Sequence, residues 1–407
     1  MTMPVLMVIN TAGLQYDDRL RKEVLSLQDL GRKVEILGLE YANRSGRTTV
    51  YDAVPATAIR LWSRGWFTRG RGVAVKTLEM YVRFLAAIMR EKRDIVWCHN
   101  LELGGLVPVL AILRACGRIR QIIWDQHELP ADSLLRNRAY KALYLWLTAR
   151  CDRVVMANRE RRDLVAAWSG GSVGERVDVL ENLPDSQFAT LPVEPLPSDA
   201  SRWLNGSPYF LAQGGANPDR HLASLVAAVL HENLPKLIVV GPYSQRQIED
   251  LEAMHGSDFK ARVLFTGAVP QMKLTPFIDH AVASIVLYEM NSENTRLCAP
   301  NRLYQALSRG VPVVVGSNPP MADLVRGIDC GVVLRTDGAD VNDVRAGLRM
   351  SAARRQRLST AGSMRRHLAW ESQAATIGRL VMIASNGERL GTISNETRLP
   401  VTRFDRR

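Results

Sequence analysis

From Val5 to Leu334 the chain repeats one pattern, a short β-branched or apolar run followed by a stretch of helical period. That repetition commits it to parallel sheets built from β-α-β units. Strands are expected at 5–10, 34–39, 58–62, 94–97, 121–124, 153–156 and 177–180, with helices near 18–30, 73–91, 104–115, 134–149 and 159–168. The pattern lapses over 182–207, where Pro184, Pro192, Pro195 and Pro197 fall and Pro208 stands at the edge, as in an interdomain linker. It resumes with strands near 209–213, 236–240, 262–266, 283–287, 311–315 and 331–334. The expected fold class is α/β, two Rossmann-like domains facing across a cleft. Residues 1–181 form the first domain and 208–384, with closing helices, the second; 385–407 form a polar, basic tail expected to be disordered. A length of 407 suits two domains of about 150 residues or more.

With 46% hydrophobic and 23% charged residues the chain can bury a core in each half, which excludes wholesale disorder. The longest apolar run, 103–113, is too short to span a bilayer, and no basic stretch leads into an apolar core before Asp17. Five cysteines without Cys-x-x-Cys spacing argue against a disulfide framework or zinc site and for a reducing compartment. A cytoplasmic location is therefore expected.

The net charge of +12 is unevenly placed. Residues 60–93 hold nine basic side chains against Glu79 and Glu91, a local +7. Within it Trp62, Trp66 and Phe67 interleave with Arg64, Arg69 and Arg71, ahead of a helix bearing Tyr81, Phe84, Leu85 and Ile88. Basic and aromatic residues so mixed suit an anionic membrane surface, on the inner face of the plasma membrane. An ordinary solvated loop before a domain helix is the plain alternative. One local patch gives nucleic-acid binding little support, and no nucleic-acid partner is expected.

In open α/β sheets ligands bind beyond the carboxyl ends of strands, so the loops there are the informative ones. After the first strand come Gly13 and then Asp17 and Asp18, a single glycine with an Asp helix cap rather than a dinucleotide fingerprint. The loop after Trp124 gathers Asp125, His127 and Glu128 ahead of Pro130, with His99 and Asn100 closing the preceding strand. Ionisable groups so placed suit proton handling, or are an incidental surface cluster. In the second half Gly214 and Gly215 allow close backbone approach to a phosphate, with Arg220 as counter-charge. Pro300 and Asn301 open a helix whose first turn carries Arg302, an anion site if its free N–H groups face the cleft.

The segment APNRLYQALSRGVPVVV resembles the proline-asparagine-lysine to glycine-x-proline-valine-valine stretch of retaining, glycogen-synthase-like GT-B glycosyltransferases. The collinear segments DDRLRKEVLSLQDLGRKVEIL, DIVWCHN, WDQHELP, VLENLPD, LAQGGANPDR, LIVVGP, VLFTGAVP and LAWESQ resemble other parts of the same family. The resemblance implies a sugar moved from a nucleoside-diphosphate sugar to an acceptor hydroxyl with retention, in polysaccharide or glycolipid synthesis. It places Arg220 and Arg302 on the diphosphate, Asn301 in the loop holding it, Gly13 beside it and His127 near the sugar. Gln305 stands where the family has a ribose-gripping glutamate and Leu297 where it has another, which Glu293 replaces only by a shift of sequence. Arg302 replaces the usual lysine. No cofactor or metal is expected: Asp17-Asp18 lacks a third acid at Asp-x-Asp spacing, and arginines with helix-terminal N–H groups stabilise a leaving diphosphate. The expected partners are the donor and a carbohydrate or lipid-linked acceptor. The rival readings are a nucleotide-sugar epimerase on the same shell and a non-catalytic scaffold, the latter favoured by Gln305 and Leu297.

Overall fold

The computed structural model describes residues 4–51, 53–68, 70–230, 233–256, 258–354 and 368–382. The first sheet contains β1 Val5–Thr11, β2 Val34–Glu40, β3 Gly46–Val50, β4 Val54–Ala58, β5 Ile95–His99, β6 Gln121–Gln126, β7 Arg153–Met156 and β8 Val177–Val179. Its order is β3-β4-β2-β1-β5-β6-β7-β8, parallel throughout except for the β3–β4 hairpin. The second sheet contains β9 Tyr209–Gln213, β10 Lys236–Val240, β11 Val263–Gly267, β12 Ser284–Val286, β13 Val313–Val315 and β14 Gly331–Val333, ordered β11-β10-β9-β12-β13-β14 and parallel. The α/β class with two parallel sheets is thus as expected.

β5 is buried along its length and β1 over Val5–Ile9, because helices cover both faces of each sheet. One face of the first sheet packs against Phe84, Leu110, Tyr144 and Val165 from four helices. The other packs against Leu20 and Val24 and, from far along the sequence, Trp370, Ile377 and Leu380. The closing helix Ala374–Leu380, expected with the second domain, therefore completes the core of the first. Trp370 Nε1 donates to Ser26 Oγ at 2.9 Å and Gln121 Nε2 to the Leu380 carbonyl at 2.7 Å.

Residues 182–207 contain two short helices, Ser186–Thr190 and Ser198–Leu204, and their first half is pinned to both units. Arg21 reaches Asp185 at 2.5 Å, and Arg309, paired with Asp279, donates to the carbonyls of Phe188, Ala189 and Leu191. The expected strand at 58–62 lies four residues earlier, and Trp62 instead leads into a short helix, Ser63–Trp66. Residues 385–407 and Arg69 lie outside the described residues.

Candidate active site

At the end of β9 the chain turns through Gly214 and Gly215 with φ of 104° and 71°, the left-handed region where glycine costs least. A Cβ on Gly214 would fall on the Arg220 guanidinium, and one on Gly215 would lie 1.9 Å from the Pro242 carbonyl oxygen. The turn is thus pressed against the loop after β10. A single 3-10 turn, Pro218–Arg220, then returns Arg220 to donate to the Gly214 carbonyl.

Arg302 arrives from the other side, on the first turn of the helix Asn301–Ser308, and donates to the Gln213 carbonyl. It is 7% exposed. Both guanidinium groups lie over one ring, that of Tyr288, at 4.5 Å for Arg302 and 5.8 Å for Arg220. Among the described residues neither makes an ion pair, and Arg302 Nε and Nη2 and Arg220 Nε are buried without hydrogen-bond partners. Burial first, and then the charge of Arg302, push Arg220 down to about 10. Two uncompensated cations in a low-dielectric pocket are unfavourable alone and favourable around an anion. The pocket between them is lined by Gln213, Gly215, Leu225 and Ile285.

Other expected donor residues stand nearby in sequence but differ in exposure. Gln305 is buried one turn beyond Arg302, and Asn301 is half-buried at the helix start. The Glu293 carboxylate is held by Arg296 at 2.6 Å within its own short helix, Glu293–Arg296. Gly13 has φ of −177°, extended backbone open to any residue, and lies beside the Glu40 carboxylate that accepts from the Leu14 N–H. Asp17 caps the helix Asp18–Asp29 through its side chain.

The first sheet supplies the facing half. Strand register sets His99 of β5 beside Asp125 of β6, both fully buried. Arg19 clamps both Asp125 oxygens, Nε at 3.1 Å and Nη2 at 3.0 Å, and also reaches Glu23 at 3.1 Å. Burial alone would raise the Asp125 carboxyl; Arg19, with His127, more than offsets it and holds that group well below the carboxylate range. Burial and the neighbouring Asp125 charge push Glu23 well above that range. His127 is partly exposed, with Nε2 3.7 Å from Asp125 Oδ2. Glu128 is exposed on the same loop.

The ligand-type atoms of His99, Asp125 and His127 lie within 4.8 Å of one another. A cation there would face the Arg19 guanidinium across the same carboxylate. His127 Nε2 approaches Asp125 at 3.7 Å without a hydrogen bond and is buried without a hydrogen-bond partner among the described residues. Arg19 and Glu23 were not foreseen; the signal was two charges spaced i, i+4 on the stripe that also carries Leu20 and Val24.

The two halves are joined. Arg161, buried without an acidic partner within ion-pair distance among the described residues, donates to the His127 carbonyl at 2.6 Å and to the Asn294 carbonyl at 2.8 Å. The Leu129 N–H donates to Asn294 Oδ1 at 3.0 Å, and Asn158 Nδ2 to the Leu297 carbonyl at 2.7 Å. Leu297, 5% exposed, is buried in the core of the first unit. One arginine thus spans the loop carrying His127 and the segment following Tyr288.

No protein-family model matches the sequence, and no curated protein does. Solved structures do. Sucrose-phosphate synthase from Thermosynechococcus elongatus superposes with a TM-score of 0.72 at 15% identity, over 93% of this chain and 98% of that one. The chain has the GT-B fold. HepE of Anabaena, solved in complex with UDP, shares it with a TM-score of 0.62 at 13% identity, over 93% and 99%. So does a UDP-forming α,α-trehalose-phosphate synthase from Burkholderia xenovorans, solved with glucose-6-phosphate, at 0.67 and 11% identity over 92% and 99%. In this GT-B chain the two arginines follow strand ends of the second sheet, and the His127 loop follows β6 of the first.

The residues expected at a membrane divide in two. Trp62 and Trp66 are 63% and 74% exposed and Arg71 is exposed. Arg64 and Phe67 are half-buried, Arg64 donating to the Glu40 carbonyl. Phe84 and Ile88 face the core.

Proposed function

We propose that this protein is a glycosyltransferase that moves a sugar from a nucleoside-diphosphate sugar to an acceptor hydroxyl, with retention. The observation that carries the reading is the Arg220–Arg302 pair, two guanidinium groups without an acid, gathered at a double-glycine turn and a helix start. As the glycosidic bond to the diphosphate breaks, negative charge grows on the leaving oxygens, and a fixed pair of cations stabilises that state more than the bound donor. Those arginines supply the charge that a divalent ion would otherwise bring, so the reaction is proposed to need no metal. His127, beside Asp125, grips the transferred sugar, and Asp125 and Glu128 are the other candidates for handling the acceptor proton. HepE was solved with UDP, so uridine nucleotides are the first to test.

The acceptor is proposed to be a carbohydrate, lipid-linked and offered at an anionic membrane surface on the cytoplasmic side, as in polysaccharide or glycolipid synthesis. No described helix is long and apolar enough to cross a membrane. Calorimetry with UDP, GDP and ADP tests the donor site; binding of none overturns the reading. Nucleotide release that requires an acceptor supports transfer, sugar isomerisation without acceptor supports an epimerase, and silence with every donor supports a scaffold. Loss of turnover in EDTA contradicts the metal-free proposal.

A further inference from the structure

Two helices of the first unit are apolar on both faces. Val73–Ile88 buries Met80, Phe84 and Ile88 against the sheet, yet its outer stripe is Val75, Leu78 and Val82, exposed by 45%, 65% and 58%. Arg138–Arg150 buries Tyr144 and Thr148, while its outer stripe sets Leu143 and Trp146 among Ala139, Ala142 and Ala149. Between them Val107–Ala115 exposes Ile112 by 62%. All three helices cover the same face of the first sheet. A helix that ends its packing in water carries a polar outer face, and these do not. Of twenty large apolar side chains exposed among the described residues, eleven fall between Trp62 and Trp146. Such concentration marks a surface that something covers.

Charge identifies what covers it. The three helices carry Lys76, Arg83, Arg114, Arg138, Lys141 and Arg150 against Glu79 alone, which pairs with Arg83 at 2.7 Å. A second copy of the chain would bring the same positive face against this one, and like charges repel. A bilayer containing acidic lipids offers apolar depth and negative charge together. Indole rings stand in the same layer, with Arg83 over Trp62 at 4.1 Å and Arg150 over Trp146 at 4.9 Å, the aromatic–cation mixture suited to a headgroup region.

We infer that the outer face of these three helices, and not the loop 62–71 alone, docks the protein on an anionic bilayer, with Leu78, Val82, Leu143 and Trp146 entering the apolar boundary. The inference rests on the membrane part of the proposed function and is independent of the donor chemistry. Helices in a parallel sheet start where strands end, so the first turn of Val73–Ile88 and Trp66 stand at the cleft side of the sheet. The docked face thereby sets the acceptor half of the cleft beside the membrane, within reach of a sugar chain on a lipid anchor.

Sedimentation of the full chain with phosphatidylcholine vesicles, with and without phosphatidylglycerol, tests this. Binding is expected only with the acidic lipid and is expected to weaken with salt. Leu78→Glu with Val82→Glu, and separately Leu143→Glu with Trp146→Glu, are each expected to reduce partitioning about tenfold or more. Calorimetric nucleotide binding should be unchanged in both, so failure here is distinguishable from failure of the donor site. Thermal melts check folding, and Leu78→Gln with Leu143→Gln gives a milder variant expected to weaken binding in the same direction. Wild-type chain that ignores acidic vesicles overturns the inference, as does wild-type partitioning by the Leu143 and Trp146 variant. A dimer that Leu78→Glu disperses, without vesicle binding, overturns it in favour of self-association.

Discussion

Arg220 and Arg302 place their guanidinium groups over the same tyrosine ring and donate to adjacent carbonyls, those of Gly214 and Gln213. Both hold the end of β9 in place while neither neutralises the other. Removing either should therefore cost affinity for a diphosphate without unfolding the turn. Arg302→Ala and Arg220→Ala are each expected to weaken nucleoside-diphosphate binding by about 1.5–3 kcal/mol, roughly ten- to hundredfold. Calorimetry at fixed salt measures it, and an unchanged affinity in Arg302→Ala would show that the pair does not meet the phosphates.

Gln305 follows Arg302 by three residues on the same helix and is 3% exposed. An amide offers one acceptor oxygen where a carboxylate offers two, and Arg302 at i, i+3 would steady a carboxylate there. Gln305→Glu is expected to leave nucleotide release intact or to raise it severalfold. A tenfold fall, in a protein that melts normally, would mean that the amide N–H is itself needed.

The strands with clustered Val and Ile were legible in the sequence, because a strand buried on both faces must be apolar throughout. The β3–β4 hairpin was not. Its first strand, Gly46–Val50, is exposed along Arg47, Thr48 and Thr49, and its second contains Pro55, which argues against a strand unless it pairs at an edge. The two arginines were legible because glycine pairs and a helix-opening proline mark phosphate-type turns locally. Arg19 was not, since its partner Asp125 lies 106 residues away and only the packing of the helix Asp18–Asp29 on the sheet brings them together.

Asp125 is more than a member of a loop cluster. Its charge is balanced by Arg19, and it is the group 3.7 Å from His127 Nε2. Arg19→Met should strand a buried carboxylate and cost about 3–5 kcal/mol in urea unfolding. Asp125→Asn removes the charge as well as its demand, and should lower kcat at least tenfold while leaving the donor affinity near wild type. A loss confined to donor KM would move Asp125 out of the chemistry.

His99 supplies a pH dependence whose sign follows from its surroundings. Burial, opposed by Asp125 and reinforced by the charges of His127 and Arg19, holds its imidazole down to about 3. The unfolded chain, with histidine near 6.5, takes up that proton first, so stability is full above about pH 6.5 and falls as pH drops towards 3. The slope is about 1.4 kcal/mol per pH unit, so roughly 2 kcal/mol is expected to go between pH 7 and 5. His99→Phe keeps the stack on Trp97, whose ring centre is 6.0 Å away, and removes the titration. Its urea midpoint should change less over that interval than the wild type's; parallel curves would assign the acid loss to other groups.

Leu297 decides between two accounts of the segment after Tyr288. A position opposite the sugar would tolerate glutamate, and by family resemblance glutamate would even suit it. The side chain instead sits in the hydrophobic core of the first unit, while its carbonyl accepts from Asn158 and Asn294 three residues earlier accepts from Leu129 and Arg161. It holds the two halves of the cleft together. Leu297→Glu would place a carboxylate in the apolar core cluster, and burial of that kind costs several kcal/mol or forces the segment out. The expected result is a lower melting temperature and loss of turnover, with nucleotide affinity largely kept, because Arg220 and Arg302 are anchored within the second unit alone. Leu297→Met, which conserves volume and apolar character, should behave as wild type. Restored or increased turnover in Leu297→Glu would place this side chain at the sugar and remove the clasp from the account.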